Sequence, residues 1–273
     1  MSLKIGLIGG TGLYGLEFLE KVEKIMVSTI YGQARISKAT VDGIEVFFLP
    51  RHGSKHSVPP HLVNYRANVA ALKFLGVKKV FATAASGSLN RKMPPGSIVI
   101  IDQFIDLTSG RPSTFYDGTN YPVAHTDFTE PYCPGLREVI MDECRKAGHD
   151  YFDRGTYIAT EGPRFETPAE IRAYRHMGGD LVGMTNVPEV VLAREAGLCY
   201  AAVALVTNYA AGISPDILSH EEVLEVMALH GERISKLFLS SILNTPEHGK
   251  CSCFSAGEHF EINGSVHNVY DEK

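Results

Sequence analysis

Ala39-Thr40-Val41-Asp42-Gly43-Ile44-Glu45-Val46-Phe47-Phe48-Leu49 decides the fold class. Asp42-Gly43 supplies the positive φ angles of a two-residue hairpin turn, and the β-branched and aromatic residues around it suit paired strands. The sheet therefore contains antiparallel pairing near its start. Upstream, Lys4 to Ile8 is a short apolar run ending in Gly9-Gly10-Thr11-Gly12, which reads as a buried first strand and a tight turn. Gly10-Thr11-Gly12-Leu13-Tyr14-Gly15 matches the spacing of a dinucleotide fingerprint, but that reading also needs a second parallel strand and an acidic residue about 20 positions on. The region around Ile30 to Ile36 offers no carboxylate and runs into the hairpin, so the dinucleotide reading fails. What survives is a glycine loop whose N–H groups can approach an anion, with Thr11 adding a hydroxyl, or a purely structural turn.

Downstream, strands and helices alternate. Asn64 to Leu75 has helical spacing closed by Gly76, Lys79 to Ala85 reads as a buried strand, and Ser97 to Ile105 as another. A helix over 135–147 ends at Gly148, and Gly155 to Thr160 is a strand. Thr167-Pro168-Ala169-Glu170 has the form of a capping box with proline at the first helical position, Pro188 to Ala196 repeats the helical pattern, and Leu198 to Thr207 is a long buried strand. Ser219-His220-Glu221-Glu222 is a second capping box, opening a helix to about Leu243. This order predicts a single-domain, layered α/β/α fold with a mixed central sheet over residues 1–245 and a polar, peripheral C-terminal tail over 246–273.

The 273 residues are 44% hydrophobic and 21% charged with a net charge of −5, which excludes a disordered chain and gives no concentrated basic face for nucleic acid or an anionic membrane. Any phosphate must be captured locally. No apolar run approaches the ~20 residues of a spanning helix, and the N-terminus turns into a glycine loop where a signal peptide would carry its cleavage site, so a cytoplasmic location is expected. Among the five cysteines the one close pair is Cys251-Ser252-Cys253, which reads as a redox-active pair, a staple, or two thiols in a polar tail. With no second pair of Cys or His beside it, a zinc site is not expected. His52, His56 and His61 lack acidic partners, so no metal is expected there either.

Several segments can carry chemistry. Arg51-His52-Gly53 follows a strand end, where an arginine offers a planar fork to phosphate oxygens with a histidine beside it; the alternative is surface solvation. In Glu161-Gly162-Pro163-Arg164-Phe165-Glu166-Thr167, Phe165 can stack on a planar heterocycle while Glu166 accepts from ring N–H groups, or the segment is a helix entry with an exposed glutamate. Thr185, after Gly183-Met184, adds a hydroxyl to an anion site or caps a helix. Asn208 ends the long strand, where a buried amide needs partners; its donor and acceptor suit a 6-oxopurine, whose O6 accepts and whose protonated N7 donates.

Together these segments resemble the purine nucleoside phosphorylase and methylthioadenosine phosphorylase family, trimeric enzymes that cleave nucleosides with inorganic phosphate. The resemblance runs from Ile5 through roughly Leu243 and rests on GGTGLY at 9–14, RHG at 51–53, NYRAN at 64–68, IDQFIDLTSGR at 101–111, EGPRF at 161–165 and GMTNVPEVVLAREAG at 183–197. It implies a phosphate site at Thr11, Arg51, His52, the backbone of Ala84 and Ala85, and Thr185. It implies a base and ribose pocket lined by Phe165 and Met184, with Asn208, Tyr209 and Ala210 in the base-reading segment, and places His125 where it reaches a neighbouring subunit's sugar. His52 and Asn208 are the expected catalytic residues. No metal or organic cofactor is implied, phosphate being a co-substrate, and the partners are the purine nucleoside and further copies of the chain in a trimer or a dimer of trimers.

Overall the wording is most similar to the methylthioadenosine branch, but it departs from it in ways that bear on substrate. Ala84 stands where those enzymes carry a threonine. Asn208-Tyr209-Ala210 replaces their Asp-Tyr-Asp, Glu166 replaces a small residue, and His220 resembles the position that hydrogen-bonds a 5′-hydroxyl, although Leu218 nearby is apolar. The expected function is phosphorolysis of 6-oxopurine nucleosides in purine salvage, with methylthioadenosine or methylthioinosine cleavage as the alternative and a non-catalytic nucleoside-binding protein as the reading from another class.

Overall fold

A computed structural model describes residues 2–10, 21–53, 57–215, 219–249, 251–257 and 260–269, with the backbone alone for His220. In chain order the elements are β1 (Lys4–Gly9), β2 (Glu23–Thr29), β3 (Gly32–Val41), β4 (Ile44–Pro50), α1 (Tyr65–Phe74), β5 (Lys79–Ser88), β6 (Ile98–Ile100), β7 (Gln103–Asp106) and α2 (Pro134–Ala147). They continue with β8 (Tyr151–Phe152), β9 (Thr156–Ala159), α3 (Pro168–His176), β10 (Leu181–Gly183), α4 (Asn186–Glu195), β11 (Cys199–Tyr209), α5 (His220–Leu243), α6 (Cys253–Ala256) and β12 (Gly264–Asn268). The strands form one mixed sheet, running β12-β2-β3-β4-β1-β5-β10-β9-β7, with β11, β6 and β8 branching from β5.

The hairpin that separates this fold from a dinucleotide-binding one is present: β3 and β4 pair antiparallel, Val41 opposite Ile44, with Asp42 and Gly43 at φ 47° and 81°. β1 lies parallel between β4 and β5.

Side-chain alternation along the central strands builds the layers. On β11, Tyr200, Ala202, Ala204 and Val206 pack with α1 and α4 on one face, and Ala201, Val203 and Leu205 with α2 and α5 on the other. A strand buried on both faces reads as a continuous apolar run, and 199–206 does so. The Thr167–Glu170 capping box is complete, the hydroxyl accepting from Glu170 N–H at 3.2 Å and the carboxylate from Thr167 N–H at 2.7 Å. At α5, Ser219 Oγ accepts from Glu222 N–H at 3.1 Å.

Two expectations change. The strand expected over 97–105 divides into β6, paired with β11 and β8, and β7, paired with β9. The chain crosses between these positions at Ile101-Asp102, where Asp102 accepts from Gly155 N–H at 3.0 Å. The stretch after 245 is not peripheral: β12 extends the sheet beside β2, and Phe260 is buried and stacked on Phe115 with ring centroids 4.2 Å apart. Folding also brings Cys133 and Cys199 beside Cys251 and Cys253, the second pair that sequence spacing does not reveal. Among the described residues no helix is long and apolar enough to cross a membrane.

Candidate active site

A cavity of about 370 Å³ opens at the carboxyl ends of the central strands, within the ~300–1,000 Å³ usual for small-molecule sites. β1 stays beside β5 as far as the Ile8–Ala82 pair, and β10 joins β5 only at Gly87 and Ser88. Between these neighbours, residues 83–86 keep β11 on one side and have no described strand on the other. A change of strand partner opens a crevice there, the usual place for ligands in layered α/β proteins. Thr83, Ala85 and Gly87 share one face of β5, and Ala85 and Gly87 line the cavity.

The Thr83 end is cationic. Gly10 N–H donates to Thr83 Oγ1 at 3.1 Å, and Arg51, just past β4, donates from Nη1 to Thr83 O at 3.0 Å. A Cβ on Gly10 would lie 2.7 Å from Arg51 Nη1, so a glycine is required for the guanidinium to sit there. Arg51 also donates from Nε and Nη2 to the two carboxylate oxygens of Glu189, each at 2.7 Å, with both side chains 1% exposed. Burial opposes the charge on Arg51, and the Glu189 carboxylate more than offsets it, holding the guanidinium above its ordinary pKa. The open phosphate-binding fork expected from sequence is thus corrected. Its two-nitrogen edge belongs to Glu189, which leaves one N–H on each Nη for a ligand. Tyr200 on β11 donates to Glu189 Oε1 at 2.7 Å and fixes the pair further.

His52 donates from Nδ1 to Val58 O at 2.8 Å; a carbonyl only accepts, so this contact sets the tautomer and the ring orientation. Thr185 precedes α4 and lines the cavity, and its hydroxyl makes no capping bond to the helix, so the capping reading is not met.

Asn208 occupies the Gly87 end. The β5–β11 register shifts between Val206 and Asn208, a bulge that makes Thr207 the extra residue and sets Asn208 opposite Gly87. Cross-strand partners share a face, so the bulge turns Asn208 onto the face of Leu205 and Ala85, whereas simple alternation from Leu205 would point it away. Asn208 Nδ2 donates to Tyr209 O at 3.0 Å, and its Oδ1 accepts from Thr207 Oγ1 at 2.8 Å. A carbonyl cannot donate, so the Tyr209 contact fixes which end of the amide is nitrogen. One N–H and one lone pair remain for a ligand. A Cβ on Gly87 would stand 3.3 Å from Asn208 Nδ2 and crowd the amide.

Glu166 enters from the segment after β9. Its Oε1 accepts from Thr160 Oγ1 at 2.7 Å, and burial raises its pKa above the ordinary carboxylate value. Phe165 beside it is 39% exposed and lines the cavity. The walls carrying Glu166 and Thr185 are tied together by Arg111. Nη1 donates to Met184 O and Val187 O at 2.6 and 3.0 Å, and Nη2 to Thr160 O and Glu161 O at 3.2 and 2.7 Å.

Of the residues singled out in the sequence, Arg51, His52, Ala85 and Thr185 line the cavity, as do Phe165, Glu166, Met184, Asn208 and Ala210. Two do not. Ala84 packs into the core beneath α1 and α4, and the Tyr209 hydroxyl donates to Arg91 O at 3.3 Å. Thr11, Leu218 and the His220 side chain lie outside the described residues, although α5 starts at His220, three residues before the cavity-lining Val223. His125 is exposed and does not line the cavity. Sequence reasoning missed Glu189, Arg111 and Thr207. The signal for Glu189 was there, a single carboxylate in the apolar run Val187-Pro188-Glu189-Val190-Val191-Leu192.

Residues 4–244 match the sequence model of the phosphorylase superfamily. The chain belongs to that superfamily. It is 52% identical over 258 residues to the 6-oxopurine nucleoside phosphorylase of Pyrococcus furiosus, covering 93% of this chain and 97% of that one. It is 46% identical over 257 residues to the S-methyl-5′-thioadenosine phosphorylase of Thermofilum pendens, covering 93% and 97%. A solved methylthioadenosine phosphorylase from Schistosoma mansoni with adenine superposes with a TM-score of 0.86 at 34% identity, over 89% of this chain and 91% of that one. The chain is therefore an enzyme of the purine nucleoside phosphorylase type, a pentosyltransferase, built on the mixed α/β fold of that group.

Proposed function

We propose that this enzyme cleaves 6-oxopurine nucleosides with inorganic phosphate, giving the free base and a pentose 1-phosphate for purine salvage. The observation that carries the reading is the pairing of Glu166 with an orientation-locked Asn208 in one cavity whose other end holds Arg51, His52 and Thr185. An ionised Glu166 accepts from the N1–H of hypoxanthine or guanine. Asn208 donates to O6 and accepts from N7 as N7 takes up a proton. A 6-aminopurine presents an amine to the Asn208 donor and a bare N1 to the carboxylate, and unpaired buried polar groups cost on the order of 1–3 kcal/mol each.

The reaction needs charge placed under the sugar. Phosphate held by the remaining Arg51 N–H groups, His52 and Thr185 faces C1′ as the ribose becomes oxocarbenium-like, and the Ala85 N–H, on the edge of β5 that no described strand pairs, supplies a further donor. Asn208 stabilises the departing base, while Phe165 and Met184 pack against base and ribose. His220 is assigned to the 5′-hydroxyl. A trimer or dimer of trimers, with His125 reaching a neighbour's sugar pocket, completes the assembly.

Initial rates with inosine, guanosine, adenosine, methylthioinosine and methylthioadenosine, with and without phosphate, test this. Fast, phosphate-dependent cleavage of inosine and guanosine is expected. Preference for methylthioadenosine would overturn the base-reading and 5′-hydroxyl roles, and turnover independent of phosphate, or none, would overturn the phosphorylase reading.

A further inference from the structure

Four of the five cysteines converge far along the chain from one another. Cys133 precedes α2, Cys199 opens β11, and Cys251 and Cys253 flank Ser252 in the C-terminal segment. Their Sγ atoms all lie within 4.8 Å of one another, with Cys199 and Cys251 at 3.4 Å. Cys133, Cys199 and Cys253 are buried and Cys251 is half-buried. We propose that these four thiols form a tetrahedral zinc site that fastens the C-terminal segment to the α/β core.

The donor chemistry and the geometry agree. Zinc with four thiolates has Zn–S distances of ~2.3 Å, which places the sulfurs ~3.8 Å apart on every edge of the tetrahedron. Four sulfurs gathered around one point match that arrangement. Two disulfides would instead draw the sulfurs into separate pairs ~2.05 Å apart.

The surroundings suit the charge. A tetrathiolate zinc carries a formal −2, which the interior must offset. Lys79 is the cross-strand partner of Cys199 and is buried, its Nζ donating to Pro246 O and, at 3.1 Å, to Glu247 O, just before the Cys251–Cys253 pair. Arg194, also buried, donates to Ser252 Oγ at 3.5 Å between the two tail cysteines. The amino end of α2 faces Cys133, where the Leu136 N–H donates to its sulfur. Cations and helix N-termini around the ligands are the outer contacts that stabilise a thiolate cluster.

Zinc displaces the remaining thiol protons to solvent, up to four in all, and no oxidant is consumed. Cys144 lies inside α2 and outside the group, its thiol pushed up to about 11 by burial. The site would tie residues 251–253 to β11 and α2, and so hold the strand and the buried Phe260 that follow.

Full-length protein, purified without chelator or reductant and dialysed against zinc chloride, is assayed by elemental analysis and by non-reducing intact mass. One zinc per chain with all five thiols reduced is expected. Cys251→Ser/Cys253→Ser should lose the metal and expose the C-terminal segment to limited proteolysis, while Cys144→Ser keeps both. If the double variant fails to fold, cobalt exchanged into the unmodified chain still reports, through the intense thiolate charge-transfer and tetrahedral visible bands. A chain that stays metal-free after dialysis, with its thiols free or paired as disulfides, overturns the proposal, as does cobalt without thiolate bands or zinc retained by a folded double variant.

Discussion

Glu189→Gln separates what the Arg51–Glu189 pair does for the fold from what Arg51 does for phosphate. Both side chains are 1% exposed and share two hydrogen bonds of 2.7 Å. Glutamine keeps the shape and one acceptor but leaves the Arg51 charge without its counter-charge, and breaking a buried pair in this way costs about 3–5 kcal/mol. For a chain of this size each kcal/mol moves the melting temperature by roughly 2–4 °C, so a loss on the order of 10 °C is expected. Phosphate should return part of it. Glu189 repels an anion seated on the remaining Arg51 N–H groups, so removing its charge should tighten phosphate binding; each tenfold gain in affinity adds about 1.4 kcal/mol at saturation. Thermal melts of both proteins across a phosphate series, at one protein concentration, measure both effects. Parent and variant melting within 2 °C of each other would refute the cost assigned to the buried pair. A large loss with the same phosphate-dependent gain in both proteins would show that Arg51 is not in the phosphate site.

Asn208→Asp removes the donor that meets O6 and should shift the kcat/KM ratio towards adenosine by about tenfold or more, since each mispaired group costs on the order of 1–3 kcal/mol; an unchanged ratio in parallel rate assays counts against the base contact. Glu166 must be ionised to accept N1–H, and its pKa is raised by burial, so the inosine-to-adenosine ratio should fall with decreasing pH, beginning above the ordinary carboxylate range. Glu166→Gln should flatten that profile, and a parent profile already flat refutes the role. The same shift has a stability sign: the cost of ionising a buried carboxylate is present above its folded pKa and absent below its unfolded pKa, so Glu166→Gln should be neutral or stabilising in neutral-pH melts. Arg111→Met strips donors from the carbonyls of Thr160, Glu161, Met184 and Val187 and should cost on the order of 3 kcal/mol while lowering kcat/KM. Activity within twofold of the parent would show that the two walls hold without it.

Local chemistry made most of the fold legible. The Asp42-Gly43 turn, the Thr167–Glu170 box and the continuous apolar run of β11 each declare themselves within a few residues. The cavity's lining was legible where one side chain carries a message alone, as with Glu166 or His52, and illegible where its meaning depends on a distant partner. Arg51 looks like an open fork until Glu189, 138 positions away, takes its edge. Asn208 was found because an amide at a strand end is costly, yet its direction is set by a one-residue bulge that no alternation rule contains. The cysteines follow the same logic. Cys251 and Cys253 are uninformative as a pair, and the fold gives them meaning by placing Cys133 and Cys199 beside them. Pairwise electrostatics at long separation is thus what the sequence withheld, and it decides here how a buried arginine can still serve an anion. Glu189 fixes the guanidinium and offsets its buried charge; on the proposed reading, phosphate then binds through the two N–H groups that neither Glu189 nor Thr83 takes.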